Sequence, residues 1–414
     1  MEINSGDTAW VLASTALVMF MTPGLALFYG GMVRSKNVLS MLMNNVFCLG
    51  LISVLWAVVV YSLAFAGTGK WIGNFDFFGL KDVVDTFPPG LALTIPPLLF
   101  MAYQMMFAVI TPALISGAVA DRMKYGAWVL FITIWVVVCY APVAHWVFAP
   151  AGWLFRRGAL DFAGATVVHI NAGIAALAVV LVLGKRRGWP NHPMPPHSLP
   201  LTLIGAGILW FGWFGFNAGS ALAGNGVAAQ ALVNTHLAAA AAMLAWLVVE
   251  RIKSGHATTL GAASGLVAGL VAITPCAGFV GGMAPLYIGA VAGALCYLAV
   301  SLKFRFGYDD SLDVIGVHLV GGIVGSLLLG FFADSTINEV VTDEGVFLGG
   351  GTDLLLDQIV AVVATIVFTF VLTYLIAFVL HKVMPGGIRV AEEDEEIGLD
   401  QTQHAETGYA LERV

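Results

Sequence analysis

Apolar stretches of about 20 residues, each long enough to cross a lipid bilayer as a helix, recur along the whole chain, and few folds can absorb such a pattern. They fall at 8–29, 38–66, 93–120, 127–147, 162–184, 200–217, 228–250, 258–276, 279–302, 314–332 and 355–383. They leave no room for a large soluble domain. Composition agrees: 59% of residues are hydrophobic and 10% are charged, where an ordinary soluble domain has roughly a quarter charged. The sequence predicts an all-α polytopic membrane protein, with eleven transmembrane helices in residues 1–384 and a tail at 385–414.

Lysine and arginine near span ends mark the cytoplasmic side. With the N-terminus outside, Arg34, Lys36, Arg122, Lys124, Lys185, Arg186, Arg187, Arg251, Lys253, Lys303, Arg305, Lys382, Arg389 and Arg413 lie inside, fourteen of the 18 basic residues. Only Lys70, Lys81, Arg156 and Arg157 fall outside. That split predicts an odd number of spans and a cytoplasmic tail. The net charge of -7 says little about partners, because eight of the 25 acids (Glu392, Glu393, Asp394, Glu395, Glu396, Asp400, Glu406 and Glu412) lie in the tail. The residues before Gly6 carry no basic region, so the first apolar run reads as a retained span rather than a cleaved signal. Cys48, Cys139, Cys276 and Cys296 lack metal-ligand spacing and read as packing residues.

The first ten spans divide into two halves of five, about 8–184 and 200–332. The fifth span carries "VHINAGI" (168–174) and the tenth "VHLVGGI" (317–323), each preceded by Leu-Asp, at Leu160-Asp161 and Leu312-Asp313. A duplication of five spans reverses its direction in the membrane, an inverted repeat that places a site between the halves near the midplane. The match is short, and chance is the alternative. The long loops 67–92 and 333–354 are expected outside, and "KRRGWPNHPMPPHS" (185–198) is a Pro-rich inner connector whose His192 and His197 read as solvated. Glycines such as those in "GAASGLVAGLVA" (261–272) suit close helix contacts. Pro97 and Pro112 are expected to bend the third span.

His169 and His318 lie in these fifth and tenth spans. Residues four apart share a helix face, so Gly173 and Gly322 leave a bare patch beside each imidazole. A single such histidine reads most simply as a packed, hydrogen-bonded residue; two in corresponding places point to an ion or proton route. No Lys, Arg, Asp or Glu lies deep in a span. A charged solute at the midplane would meet no countercharge, at a cost of several kcal/mol, so the cargo crosses neutral. Imidazoles can line such a path, giving and accepting hydrogen bonds. A solute that arrives as a cation needs an outer recruiting site. "WFGWFGFNAGSA" (210–221) offers Trp210, Phe211, Trp213, Phe214 and Phe216, with Asn217 and Ser220 at the exit. The same cluster also reads as an interfacial aromatic belt.

The stretches "GDTAWVL", "MTPGLALFYGGMVRSKN", "DFAGATVVHINAG", "GWFGFNAGSA" and "DVIGVHLVGGIVG", in that order, resemble the ammonium transporter (Amt/Mep/Rh) family, on the Amt side, from about Gly6 to the tail. The resemblance implies a pore histidine pair at His169 and His318 and a phenylalanine gate at Phe107 and Phe216. It implies ammonium recruitment by Ser220, Phe107, Phe148 and Asp161, Asp161 supporting the site without touching the substrate, and structural support from Trp213 and Asp313. It also implies a homotrimer with one pore per subunit. One departure stands in "AHWVFAPAGWL" (144–154), where Phe148 replaces the family's usual tryptophan and Ala149-Pro150-Ala151 a Gly run. Phenylalanine gives a weaker cation–π face and no indole donor, so the recruiting site is expected to be weaker, or rebuilt around Trp146 or Trp153. His236 is expected to be structural. The tail stretch "EEIGLDQTQHAETGY" (395–409) resembles Amt C-termini that contact PII-type signal proteins; on composition alone, an acidic tail is solvated or disordered.

The expected function is ammonium uptake across the cell membrane, with methylammonium as analogue: NH4+ is recruited outside and deprotonated, and NH3 passes the twin histidines, with the proton either left behind or carried along. The alternative is an ammonium sensor that conducts poorly and signals through its tail. No cofactor is expected. An intramembrane metalloenzyme would need H-x-x-x-H or H-E-x-x-H, and neither occurs. A retinal protein would want a lysine within a late span, and none is present.

Overall fold

A computed structural model describes residues 2–409 of the chain; Glu412 and Arg413, counted above, lie outside the described residues. The regular elements of the described chain are all helices, with one isolated antiparallel bridge between Met123 and Arg389. Ten helices are long and apolar enough to cross a membrane: α1 (Ser5–Met32), α2 (Ser35–Phe65), α3 (Pro97–Val119), α4 (Tyr125–Arg157), α5 (Ala165–Leu183), α6 (Leu199–Ala221), α7 (Gly226–Ser254), α9 (Ala284–Phe306), α10 (Ile315–Phe332) and α11 (Asp353–Val383). The eighth expected span is a shorter helix, α8 (Thr259–Ile273), of 15 residues. At 1.5 Å per residue it covers about 22 Å of a hydrocarbon layer of about 30 Å. Pro275, just past its C-cap Thr274, ends it. The irregular stretch that follows keeps its carbonyls satisfied, because the Asn234 amide donates to Ala277 O at 2.9 Å and Val280 O at 2.7 Å.

Local sequence sets the helix starts. Asn4 caps α1 by accepting from Gly6 N and Asp7 N at 2.8 and 3.0 Å, Asn225 caps α7, and Thr258 caps α8. Pro97 opens α3 at its first turn instead of bending it, while Pro112 lies inside. All four cysteines are buried and free, as expected of packing residues.

The first helix of each expected half packs against the other, α1 along α6. A Cβ on Gly205 would stand 2.2 Å from Phe28 N, so only glycine lets these two backbones meet. The fifth and tenth helices also meet, and that contact holds the histidines. Gly173 lies against the backbone of Leu319, the residue after His318. Gly322 lies against Ile170, the residue after His169. Beyond α11 the chain folds into two short helices, α12 (Glu392–Ile397) and α13 (Leu399–His404), and these dock on the bundle rather than dissolve into solvent.

Candidate functional site

Both histidines sit where their helices depart from α geometry. Ala165–Ile170 and Ile315–Leu319 are π-helical turns, a widening common at functional sites. Val168 N and His169 N both donate to Gly164 O, at 2.9 and 3.3 Å. The extra residue in the turn aims each imidazole at the other half. His169 Nδ1 and His318 Nδ1 stand 3.3 Å apart, with the rings 5.3 Å centre to centre and inclined by 19°. The two side chains are 1% and 3% exposed. One Nδ1 must donate to the other, so a neutral pair presents one Nε2–H and one Nε2 lone pair to anything beside it. His169 Nε2 has no partner among the described residues.

Aromatic rings close the space on the side of the α6 C-terminus. His169 stacks on Trp213 at 5.4 Å and lies 5.9 Å from Phe216, and Phe216 meets Phe107 at 4.4 Å, tilted by 43°. Trp213 is fixed by a 3.0 Å bond from its indole to Thr274 Oγ1. Phe107, Phe216, Trp213 and the two imidazoles bring no formal charge into this constriction. The rest of the 210–221 cluster does not reach it: Phe211 is 57% exposed, while Trp210 and Phe214 pack on His236. The helical period puts these on the far face of α6 from Trp213, Phe216 and Ser220.

Above the phenylalanines opens a cavity of about 620 Å³ whose lining includes Phe107, Phe148, Asp161 and Ser220. Ser220 Oγ donates to Phe216 O at 2.8 Å and lies 3.1 Å from Tyr103 OH. Tyr103 in turn bonds Gly215 O and Phe216 O, both at 2.9 Å, and so ties α3 to the end of α6. Asp161 accepts from Gly164 N, Ala165 N and Thr166 N at 2.8, 2.7 and 2.8 Å, and from the Thr166 hydroxyl. Four donors use the lone pairs a carboxylate has. Asp161 therefore caps the π turn that carries His169 and keeps its charge beside the cavity without a free acceptor. Burial pushes its carboxyl above the usual range, against the bonds from Thr166, Ala165 and Gly164. Phe148 lines the wall of this cavity, and neither Trp146 nor Trp153 does. The Trp146 indole is spent on Trp71 O at 2.7 Å.

On the opposite side of the histidines a narrow cavity next to His318 is lined by Tyr29, Ser264, Val267 and Asp313 among others. Asp313 holds Lys303 Nζ at 2.5 Å. It is not the counterpart of Asp161, as the Leu-Asp motif suggested. That place belongs to Asp310, eight residues before His318 as Asp161 is eight before His169, with its carboxylate on Ile315 N at 2.7 Å. The missed signal was the spacing to the histidine rather than the neighbouring leucine. Tyr103 was missed too, although it stands one turn before Phe107. His197, expected to be solvated, is tied to Val33 O and Tyr409 OH, both at 2.8 Å.

The family model of the Ammonium Transporter Family matches residues 9–409. An ammonium transporter of Mycobacterium tuberculosis (strain ATCC 25618 / H37Rv) is 51% identical, over 98% of this chain and 90% of its own length. An ammonium transporter of Bacillus subtilis (strain 168) is 48% identical, over 98% and 99%. Among solved structures, that of Candida albicans Mep2 aligns with a TM-score of 0.89 at 36% identity, over 95% of this chain and 88% of its own. A sensor Amt protein aligns with a TM-score of 0.87 at 29% identity, over 95% and 97%.

Proposed function

The chain belongs to the ammonium transporter family, and from that membership we propose how its residues carry the cargo. Ammonium gathers in the outer cavity against Ser220, Phe107 and Phe148, drawn there by the charge of Asp161. It gives up its proton before the constriction, because an ion entering the uncharged space would lose its hydration uncompensated. Ammonia then passes as Phe107 and Phe216 part, runs beside His169 and His318, and leaves through the inner cavity. The buried imidazole pair at 3.3 Å, directly beneath the phenylalanines, carries this reading. An unpartnered Nε2 on His169 gives ammonia a hydrogen-bonding contact where the rest of the wall is apolar.

The test is uptake and current recorded together on protein in liposomes. Wild type takes up methylammonium, and alanine at both histidines changes rate or selectivity. Uptake unchanged in both respects rejects the histidine route. A current that follows the ammonium gradient means that the proton crosses as well; uptake without current means that it stays outside.

The same reading includes a homotrimer and a PII-type signal protein at the tail, both resting on the family resemblance. It places the N-terminus outside and the tail in the cytoplasm, supported by Lys36, Lys124, Arg187 and Arg389, which gather around the tail. It relates residues 8–184 and 200–332 as inverted repeats, supported by the reciprocal contacts of Gly173 and Gly322. A sensor that conducts poorly is the second reading, favoured by the likeness to a solved sensor Amt protein. Growth of a transport-deficient cell on limiting ammonium, restored by this chain, decides against it.

A further inference from the structure

Resting on the ammonium-uptake reading above, we infer that the carboxamide of Gln104 is a second oxygen acceptor of the outer recruiting site and sets its affinity for ammonium. Gln104 stands one turn before Phe107 on α3 and lines the outer cavity with Phe107, Phe148, Asp161 and Ser220. It is 9% exposed, and its Oε1 has no hydrogen-bond partner among the described residues. A buried amide oxygen left unpaired is costly, and such a group calls for something that completes it.

The other oxygens around it show what is missing. Asp161 has spent its lone pairs on four donors of its own turn. The Ser220 hydroxyl donates to Phe216 O, which leaves lone pairs on its oxygen to accept. A tetrahedral ammonium brings four N–H donors. Ser220 takes one, and the faces of Phe107 and Phe148 meet others through weak cation–π contacts. Phenylalanine is a poorer partner here than tryptophan, so a second oxygen contributes correspondingly more. No donor among the described residues holds Gln104 Oε1, and a turn about the terminal bond of the side chain brings it to a cation in the cavity; the oxygen and nitrogen ends of an amide occupy nearly the same volume. A hydrogen bond to a charged donor is among the stronger ones.

The experiment compares ammonium uptake against concentration for the full-length protein in liposomes, as wild type, Gln104→Leu and Gln104→Glu. Leucine keeps the bulk and removes the acceptor; KM is expected to rise about tenfold, with the maximal rate unchanged. Glutamate keeps an oxygen acceptor and adds charge, and KM is expected at or below the wild-type value. A merely structural residue would lower the maximal rate or the melting temperature and leave KM alone. An unchanged KM in Gln104→Leu overturns the inference and leaves the uptake reading standing. Wild-type liposomes that take up no ammonium overturn both. If Gln104→Leu does not fold, Gln104→Glu decides: a KM raised well above wild type overturns the inference, and one at or below it supports the inference.

Discussion

Asp161 and Asp310 stand in the same relation to the two histidines, yet their surroundings differ. Asp161 is saturated by four donors. Asp310, 1% exposed, leaves Oδ1 without a partner among the described residues. Burial, with the charge of Asp313 second and Lys303 opposing, pushes the Asp310 carboxyl from 3.8 up to about 6. A carboxyl raised on folding prefers its proton in the folded state. Its stabilising effect is complete below the unfolded value and is lost as pH rises through about 6. At about 1.36 kcal/mol per pH unit this amounts to about 3 kcal/mol between acid and neutral solution. Purified protein melted in detergent is therefore expected to lose stability from about pH 4 to about pH 6, and Asp310→Asn to flatten that slope. Equal slopes in the two proteins would show that another group is responsible.

At the scale of the helix, the V-H-x-x-x-G-I motif was legible because an apolar run makes a histidine conspicuous and a glycine four residues on marks close approach. The π turns were not, since a π turn differs from an α turn by one residue of hydrogen-bond register and leaves no compositional mark. The helical period separates Trp210 from Trp213 on α6, but which of the two aromatic faces turns to the site depends on the partner helices, which the sequence does not name. The short α8 was hidden for a related reason: "AITPCAGFV" is apolar through the proline, and hydropathy does not register where the helix stops. The two glycines of the motif differ in what they face. A Cβ on Gly173 would stand 2.5 Å from Leu319 N, which is backbone, whereas one on Gly322 would first meet the side-chain atom Ile170 Cγ1 at 2.8 Å and backbone only at 3.3 Å. Gly173→Ala is expected to destabilise the protein by about 1–3 kcal/mol and to slow uptake by parting the imidazoles. Gly322→Ala is expected to cost clearly less. Melting temperatures and uptake rates of the two variants check the order, and an equal loss would mean that both backbones adjust freely.

Over the whole molecule, the tail closes the chain onto its own beginning. After a 3₁₀ turn at Ser35–Asn37, the α-helical part of α2 begins at Val38, and the Asn37 side chain does not cap it; Asn37 instead donates to Asp121 Oδ1 and accepts from Leu399 N. The open N–H groups of α2 are taken by Asp400, which accepts from Leu39 N at 3.1 Å and Ser40 N at 2.9 Å. A negative side chain at a helix N-terminus satisfies orphan donors and the helix dipole together. Glu395 adds bonds to Arg187 N at 2.7 Å and Arg389 at 2.6 Å. Composition alone pointed to a solvated acidic tail because capping by a residue some 360 positions away leaves no local pattern. Asp400 is 2% exposed, so it is part of the fold rather than a free anion for a partner. Asp400→Ala is expected to cost about 1–2 kcal/mol and to loosen α13, which then keeps Leu399 N on Asn37, Tyr125 N on Gln403 and His404 against the Tyr125 ring. Limited proteolysis reads this directly: cleavage between residues 390 and 409 is expected to speed up several-fold in Asp400→Ala while the membrane helices stay protected. Cleavage at the wild-type rate would mean that the Glu395 bonds to Arg187 and Arg389 and the remaining contacts of α13 suffice to hold the tail, and that the cap on α2 is incidental to it.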